Sequence, residues 1–341
     1  MTTAALEYEQ TAPLAELLEW ELSRPDSTFQ PESLDPRHLE ASLAGPLRDF
    51  LQRPGKEFRA RLVQTSWALA GGRGEPPPLL PWVVELLHSG SLIIDDIEDG
   101  SAYRRGAPAL HVLHGLPVAL NAGNWLYFWA FSLLERMELP AATELQLHRA
   151  MSRALLDCHR GQALDLTLRM GDLGQREVAR AVEQTTALKT GCLLELAANL
   201  GALAANAGQE RTLTLARFGR ELGIALQMLD DLGGIFSESR AHKGHEDLLL
   251  GRPTWPWAWL AASVSETEYA ALQRLARQVE QRDRHPEELA EKMREHLGSA
   301  PRRRVQQRVR RAFAQLKQNL GPSPALTQLS AEIARLERSY G

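Results

Sequence analysis

Apolar residues recur three and four positions apart along almost the whole of this 341-residue chain, and alternating runs of β-branched residues are nearly absent. That period puts a hydrophobic stripe on one side of an α-helix, so the chain must bury its apolar surface helix against helix. Leu215, Phe218, Leu222, Ala225 and Leu229 form one such stripe. Val84, Leu87, Ser91 and Asp95 form another, which begins apolar and ends in acid. Roughly ten or more helices joined by short turns are expected. The breaks fall where Gly and Pro cluster: Gly71-Gly72 through Pro78, Gly106-Ala107-Pro108, Gly171 to Gly174, and Gly251-Arg252-Pro253. No internal repeat and no composition shift divides the chain. The expected fold is therefore all-α, a single-domain bundle of antiparallel helices around a central cavity. It is expected over residues 36–341, after a peripheral N-terminal segment, 1–35, that holds Pro13, Pro25 and Pro31.

Composition narrows the function. The net charge of −4 gives no reason to expect nucleic acid. Arg302-Arg303-Arg304 opens a basic helix that reads as a solvated face. Only Cys158 and Cys192 are present, neither in a CxxC pair, which excludes a disulfide framework and fits a reducing cytosol. Early acids and the lack of an apolar run argue against a secretory leader, and no stretch of about 18 uninterrupted apolar residues predicts a membrane span.

The chemistry concentrates in two acidic clusters. One is Asp95-Asp96-Ile97-Glu98-Asp99, followed closely by Arg104-Arg105-Gly106; the other is Asp230-Asp231. Asp95 and Asp99 lie four apart and share one face of a helix, where like charges repel. A chain that builds such clusters twice has a cation to hold. Oxygen donors without a nearby His or Cys ligand pair point to a hard ion such as Mg2+, and the adjacent arginines point to phosphate.

These segments resemble the trans-isoprenyl diphosphate synthases, the polyprenyl synthetase family, from about Gly55 to Pro256. The resemblance implies the isoprenoid synthase type I fold, Mg2+ as cofactor with three ions, a homodimer, and two substrates: an allylic prenyl diphosphate and isopentenyl diphosphate. The stretch DDIEDGSAYRRGAPALHVLHG carries the first aspartate-rich motif and its trailing arginines. It implies Asp95 and Asp99 as metal ligands, Arg104 on the allylic diphosphate and Arg105 on the isopentenyl one. Gly55-Lys56-Glu57-Phe58-Arg59 is similar to a GKxxR segment, so Lys56 and Arg59 inherit a grip on isopentenyl diphosphate, with His88 in the same pocket. Taken singly, Lys56 and Arg59 read as surface charges and His88 as a core histidine; the ordered set carries the functional reading. Gly161-Gln162-Ala163-Leu164-Asp165 resembles a GQxxD helix, which makes Asp165 a water-mediated partner of the metals. The resemblance makes Lys189 and Thr190 leaving-group and reaction-centre residues, and Gln227 a companion of Asp230 and Asp231 on one helix face. Lys243-Gly244 resembles a flexible loop over the active site, and Arg252 stands in a GKPTLP-like element where the family has Lys.

The chain departs from the family twice. The third carboxylate of the second motif is Gly234, so Asp230 is expected to carry most of the metal binding there. Glu238, eight past Asp230, shares its face if the helix persists, a spacing that resembles the metal triad of terpene cyclases. Asn124 stands where the family has Asp. Product length should depend on the cavity floor, for which Leu87, Gly90, Ser91, Trp125 and Phe128 are the candidates. Small Gly90 and Ser91 argue for a medium-length product, around geranylgeranyl diphosphate. Two other readings stay open: a terpene-cyclase-like enzyme on the same fold, favoured by Glu238, and a non-catalytic synthase subunit, favoured by the eroded second motif.

Overall fold

The computed structural model describes residues 14–23 and 35–339. They fold almost entirely as helices. In chain order these are α1 (Leu14–Leu22), α2 (Pro36–Leu39), α3 (Gly45–Leu51), α4 (Phe58–Ala70), α5 (Leu80–Asp99), α6 (Leu110–His114), α7 (Leu116–Glu135), α8 (Ala141–Thr167) and α9 (Gln175–Thr186). They continue as α10 (Cys192–Ala204), α11 (Gln209–Phe236), α12 (Ala241–Leu249), α13 (Trp255–Ala261), α14 (Glu266–Glu280), α15 (Pro286–Leu297), α16 (Ala300–Leu320) and α17 (Pro324–Ser339). The strands are β1 (Tyr103–Arg104) and β2 (Ala107–Pro108), an antiparallel hairpin. Three of the four expected Gly/Pro breaks fall between elements, α4 to α5, α8 to α9 and α12 to α13, and the fourth, Gly106-Ala107-Pro108, makes the turn and second strand of the hairpin.

The chain groups into two compact units. One comprises residues up to 64 and 73–148, and the other residues 65–72 and 149 onward. No change in composition marks the division, because it follows from which helices pack together.

In the first unit α5 and α7 form the central pair. Their crossing is close because it is made at two glycines. A Cβ on Gly90 would lie 2.8 Å from the carbonyl oxygen of Gly123, and one on Gly123 would lie 2.8 Å from Ile94 Cδ1. Around this crossing Val83, Val84, Leu86, Leu87, Leu126 and Ala130 are fully buried. α5 stops at Gly100, whose φ of 65° suits glycine, and whose N–H closes on the carbonyls of Asp96 and Ile97. Part of the N-terminal segment belongs to this core instead of lying at its periphery. Leu17 and Leu18 of α1 are buried, and Glu21 accepts hydrogen bonds from Trp129 Nε1 at 2.9 Å and Arg136 Nη2 at 2.6 Å. Residues 1–13 and 24–34 lie outside the described residues.

In the second unit α11 is the axis, 28 residues long. Its predicted stripe is inward, with Leu215, Phe218, Leu222 and Ala225 buried and Leu229 packed partly against the core. Gln175–Ala204 is the single stretch among the described residues that is long and apolar enough by composition to cross a membrane, and most of it is buried inside this unit. Cys158 and Cys192 are free thiols.

Candidate active site

In the first unit the end of α5, the β1–β2 hairpin and the start of α4 bring charge together. Asp96 is 1% exposed and anchors Arg104: its Oδ1 accepts from Arg104 Nε at 2.7 Å and also from Nη2. The same guanidinium lies 3.8 Å from Asp95 Oδ2. Burial alone would weaken the arginine's charge, but Asp96 and its acidic neighbours outweigh it and raise the pKa. Nothing in the spacing of the acidic motif distinguishes an anchor such as Asp96 from a metal ligand.

Arg105 has a different environment. Its φ of 53° lies in the left-handed region, at the hairpin turn. Its guanidinium stands 5.8 Å from the Phe50 ring and close over Gly55, which belongs to the GKxxR segment. Burial lowers its pKa; Glu85 opposes this, while Arg59, Arg104 and Arg53 add to it. Arg53 was not singled out from sequence. It donates to the carbonyl of Arg104 at 3.2 Å and to Asp49 at 2.7 Å, tying the hairpin to α3. Buried Glu85 accepts from the backbone N–H of Ala60 at 3.0 Å, which fixes the first turn of α4 and so the position of Arg59. Arg59 Nε is buried without a hydrogen-bond partner. Lys56 is exposed. His88 is held neutral: burial, then Arg59, Arg105 and Arg104, pull its pKa well below the usual histidine value. Arg59 and Arg104 thus lie near enough to Arg105 and His88 to disfavour positive charge on both, as in a pocket that takes an anion.

Among the described residues no three His, Cys, Asp or Glu side chains close a metal cage by themselves. Mg2+ does not require one, since it keeps waters and takes one or two carboxylates with substrate phosphates. Asp95 and Asp99, one turn apart on α5, fit that requirement, and Asp96 Oδ2 is a buried oxygen with no partner.

The cavity-floor expectations need correction. Gly90 is closed by Gly123, Leu126 and Tyr127, whose ring would lie 3.2 Å from a Cβ there, so it is a helix-crossing residue. Phe128 is 73% exposed. The inward face of α7 runs through Ala119, Ala122, Gly123, Leu126 and Ala130, and this turns Leu116, Leu120, Asn124 and Phe128, at steps of four, toward solvent. Asn124 is thus a surface residue. Trp125 is half-buried, its ring 4.9 Å from that of Trp129. Leu87 is fully buried, and Ser91 Oγ donates to the carbonyl of His88 at 2.8 Å. Of the aromatic residues in the bulky run 125–129, Tyr127 is the one that meets Gly90 at the crossing.

In the second unit a polar network runs through α8, α11, α12 and the π-helical turn Ala187–Gly191. Lys189 Nζ donates to Asp165 Oδ2 at 2.6 Å, and Arg252 Nη1 lies 3.4 Å from the same oxygen. Thr190 Oγ1 donates to Gln227 Oε1 at 2.9 Å, and Gln227 Nε2 donates to Asp231 Oδ1 at 2.8 Å. Asp231 Oδ2 accepts from the Trp255 backbone N–H at 2.9 Å. Burial still pushes Asp231 up to about 6 against these bonds. Asp247, also missed, sits one turn past Lys243 on α12. Burial pushes it up to about 8, with Lys243 and Arg252 opposing and Asp231 and Asp165 adding to the rise.

The carboxylates of this second cluster are engaged by the protein's own donors. Both oxygens of Asp231 are taken, and the two oxygens of Asp230 accept from Arg240 Nη2 and Lys243 Nζ. Burial works against the charge on Asp230, but Lys243 and Arg240 outweigh it and hold its pKa below the ordinary carboxylate value. Glu238 cannot stand in for the missing ligand: α11 ends at Phe236, Ser237 is extended at φ −111° and ψ 122°, and Glu238 is exposed in the following 3₁₀ turn. The helical register on which that expectation depended stops before it.

The fit to known proteins agrees with these motifs. A sequence profile of the polyprenyl synthetase family matches residues 40–294. The geranylgeranyl diphosphate synthase of Sulfolobus acidocaldarius is 32% identical over 204 residues, which cover 59% of this chain and 58% of that one. That of Mycobacterium tuberculosis is 36% identical over 228 residues, covering 64% and 62%. The chain thus spans less than two thirds of the length of these two relatives. Among solved structures, a decaprenyl diphosphate synthase from Rhodobacter capsulatus superposes with a TM-score of 0.78 at 22% identity over 97% of this chain and 96% of that one. A geranylgeranyl pyrophosphate synthase from Corynebacterium glutamicum, complexed with isoprenyl diphosphate and magnesium, gives 0.75 at 22% identity over 95% and 96%. At that identity these structures show the fold.

Proposed function

Because the chain belongs to the polyprenyl synthetase family, we propose that it is a Mg2+-dependent prenyltransferase that joins an allylic prenyl diphosphate to isopentenyl diphosphate. The observation that carries this reading is the first unit's cluster of Arg59, Arg104 and Arg105 around buried, neutral His88, with the carboxylates of α5 beside it. A diphosphate is an anion that such a cluster can bind.

Lys56, Arg59 and Arg105 grip the diphosphate of isopentenyl diphosphate, and neutral His88 offers it one N–H without adding charge. Arg104, oriented by Asp96, binds the allylic diphosphate. Asp95 and Asp99 would hold Mg2+, which when bound supplies positive charge to the departing diphosphate. Lys189 is held ready on Asp165 and neutralises the leaving group, while Gln227 fixes Thr190 near the reacting carbon. Arg252 shares Asp165 with Lys189.

In the reaction the allylic C–O bond breaks and its electrons leave with diphosphate. The double bond of isopentenyl diphosphate attacks the resulting carbocation. A proton is then lost from the new carbon skeleton to the released diphosphate, so no side-chain base is needed. Geranylgeranyl diphosphate is the product we favour, since the two sequence relatives named above are geranylgeranyl diphosphate synthases. The exposed apolar stripe of Leu116, Leu120 and Phe128, with Val112 and Leu113 nearby on α6, is the surface through which two copies pair.

The test is product analysis with Mg2+, labelled isopentenyl diphosphate, and dimethylallyl, geranyl or farnesyl diphosphate in turn. Label in a longer prenyl diphosphate is expected, and its length sets the product. A hydrocarbon or alcohol from the allylic substrate alone would replace this reading with a cyclase, and no turnover of any substrate would replace it with a non-catalytic subunit.

A further inference from the structure

We propose that Cys158 and Cys192 form a modification site, a thiol pair that a small-molecule disulfide oxidises to an intramolecular disulfide, and that the new bond slows prenyl transfer by restraining Lys189. The effect on turnover rests on the prenyltransferase reading; the thiol chemistry stands apart from it.

Three features of the second unit lead to it. First, the two sulfurs meet. Cys158 on α8 and Cys192, the first residue of α10, are 34 residues apart in sequence, yet their Sγ atoms lie 2.9 Å apart, in direct contact. Cys192 is 3% exposed and Cys158 is half-buried, so a reagent reaches the pair from the Cys158 side. Second, the pair ends a seam between α8 and the π-helical turn Ala187–Gly191. Cys158, Gly161 and Asp165 follow one face of α8 at steps of three and four. Cys192 Sγ donates to the Leu188 carbonyl at 2.5 Å, a Cβ on Gly161 would lie 2.5 Å from the Lys189 backbone nitrogen, and Asp165 holds Lys189 Nζ. Third, α11 closes the turn on its other side, where a Cβ on Gly223 would lie 2.8 Å from Gly191 Cα. The turn is thus gripped between two helices, and a covalent bond at Cys192 acts on the segment that carries Lys189 and Thr190.

The surroundings order the two thiols. The hydrogen bond with Cys158, then burial, then the charges of Cys158, Asp157 and Glu195 raise the pKa of Cys192, which stays protonated. A thiolate is the attacking form, so Cys158 reacts first. Its sulfur attacks one sulfur of the reagent, whose S–S bond breaks; a mixed disulfide forms on Cys158 and one thiolate leaves. Once Cys158 carries the reagent, its hydrogen bond and charge no longer oppose ionisation of Cys192. The Cys192 sulfur then attacks the Cys158 sulfur, which breaks the mixed disulfide and releases the second thiolate. The two cysteine protons pass to the two thiolates; the protein loses two electrons and the reagent gains them. The disulfide removes the S–H that the Leu188 carbonyl accepts and ties the start of α10 to α8. Lys189 is then kept on Asp165 and does not follow the departing diphosphate. Where thiols are otherwise kept reduced, such bonds form transiently and report redox state.

The experiment incubates the full chain with oxidised glutathione, blocks the remaining thiols with iodoacetamide, and reads intact mass and a non-reducing peptide map. The chain has no other cysteine. A product lighter by two hydrogens at the mass of one chain is expected, with residues 158 and 192 in one cross-linked peptide that dithiothreitol separates. Cys192→Ser should stop at the glutathione adduct on Cys158. Elongation with Mg2+ should fall about 10-fold or more in the oxidised chain and return with dithiothreitol, while Cys158→Ser stays insensitive to the reagent. Binding of inorganic diphosphate with Mg2+, followed by calorimetry, should weaken in parallel. Two thiols that remain open to alkylation overturn the proposal. So does a cross-linked chain of raised Tm with unchanged elongation and diphosphate affinity, since the bond would then only staple α8 to α10. If the reduced chain does not elongate, the prenyltransferase reading falls on its own: a cross-linked chain that binds diphosphate more weakly keeps the thiol site, and one that binds it equally removes both.

Discussion

At the scale of single residues the electrostatics of the first unit make a pH prediction. The pKa of His88 is pulled well below its usual value by burial and then by Arg59, Arg105 and Arg104. A histidine depressed in the folded state contributes stability that is present above its unfolded pKa and is lost as pH falls below it. Lowering the pH from 7 to 5 should therefore reduce the Tm of the native chain, and His88→Gln should reduce that pH dependence. Equal pH dependence in the two proteins would show that the histidine is free to protonate. Gly90 allows a second prediction. A methyl group there would meet the Gly123 carbonyl at 2.8 Å, so Gly90→Ala should destabilise by about 1–3 kcal/mol in urea unfolding. A neutral result would mean that α5 and α7 separate without cost, and that the position is available as a cavity wall after all.

At the scale of elements, α12 is placed by its contacts with α11 and carries Asp247 among Lys243, Asp231, Arg252 and Asp165. Burial pushes this carboxyl up to about 8. Because the folded value lies above the unfolded one, the protonated form is favoured in the fold. The contribution to stability is full below the unfolded pKa and is lost as pH rises through about 8. Asp247→Asn keeps the shape without the ionisation. Its Tm relative to the native chain should rise between pH 5 and pH 8 and level off above; a constant difference would mean that Asp247 is ionised throughout. The element boundaries also show where sequence reading reached its limit. The Gly and Pro breaks were legible because those residues act on their own backbone. The end of α11 at Phe236 was not, since neither Gly nor Pro marks it: residues 235–238 read Ile-Phe-Ser-Glu. The helix gives way there to an extended residue and a short turn that brings Arg240 back onto Asp230, a contact that spacing alone does not reveal.

At the scale of the whole molecule, the exposed face of α6 and α7 is the feature with a measurable consequence. Leu116, Leu120 and Phe128 are 53%, 40% and 73% exposed. If two copies pair there, Leu120→Glu with Phe128→Glu should convert a dimer to a monomer in analytical ultracentrifugation. A dimer that persists in the double variant would place the pairing surface elsewhere. Both positions are exposed, so the fold itself should survive the change.

The sequence by itself determined the helical class, the breaks, and which residues carry charge near which others along one helix. These follow from a period of 3.6 and from i,i+4 neighbours, which are properties of a helix and do not wait for its packing. The pairing of Gln227 with Asp231 was readable for that reason. Tertiary structure alone decided what each charge does. Asp96 became the anchor of Arg104, eight residues on, Asp165 the partner of Lys189, 24 residues on, and Arg240 a cation on Asp230. It also turned Phe128 outward and set Gly90 and Gly234 against neighbouring backbone. Which side of a helix is covered, how near another backbone comes and how much water remains around a charge depend on segments distant in sequence. Those same quantities set the pKa values and the ligand preferences of the site.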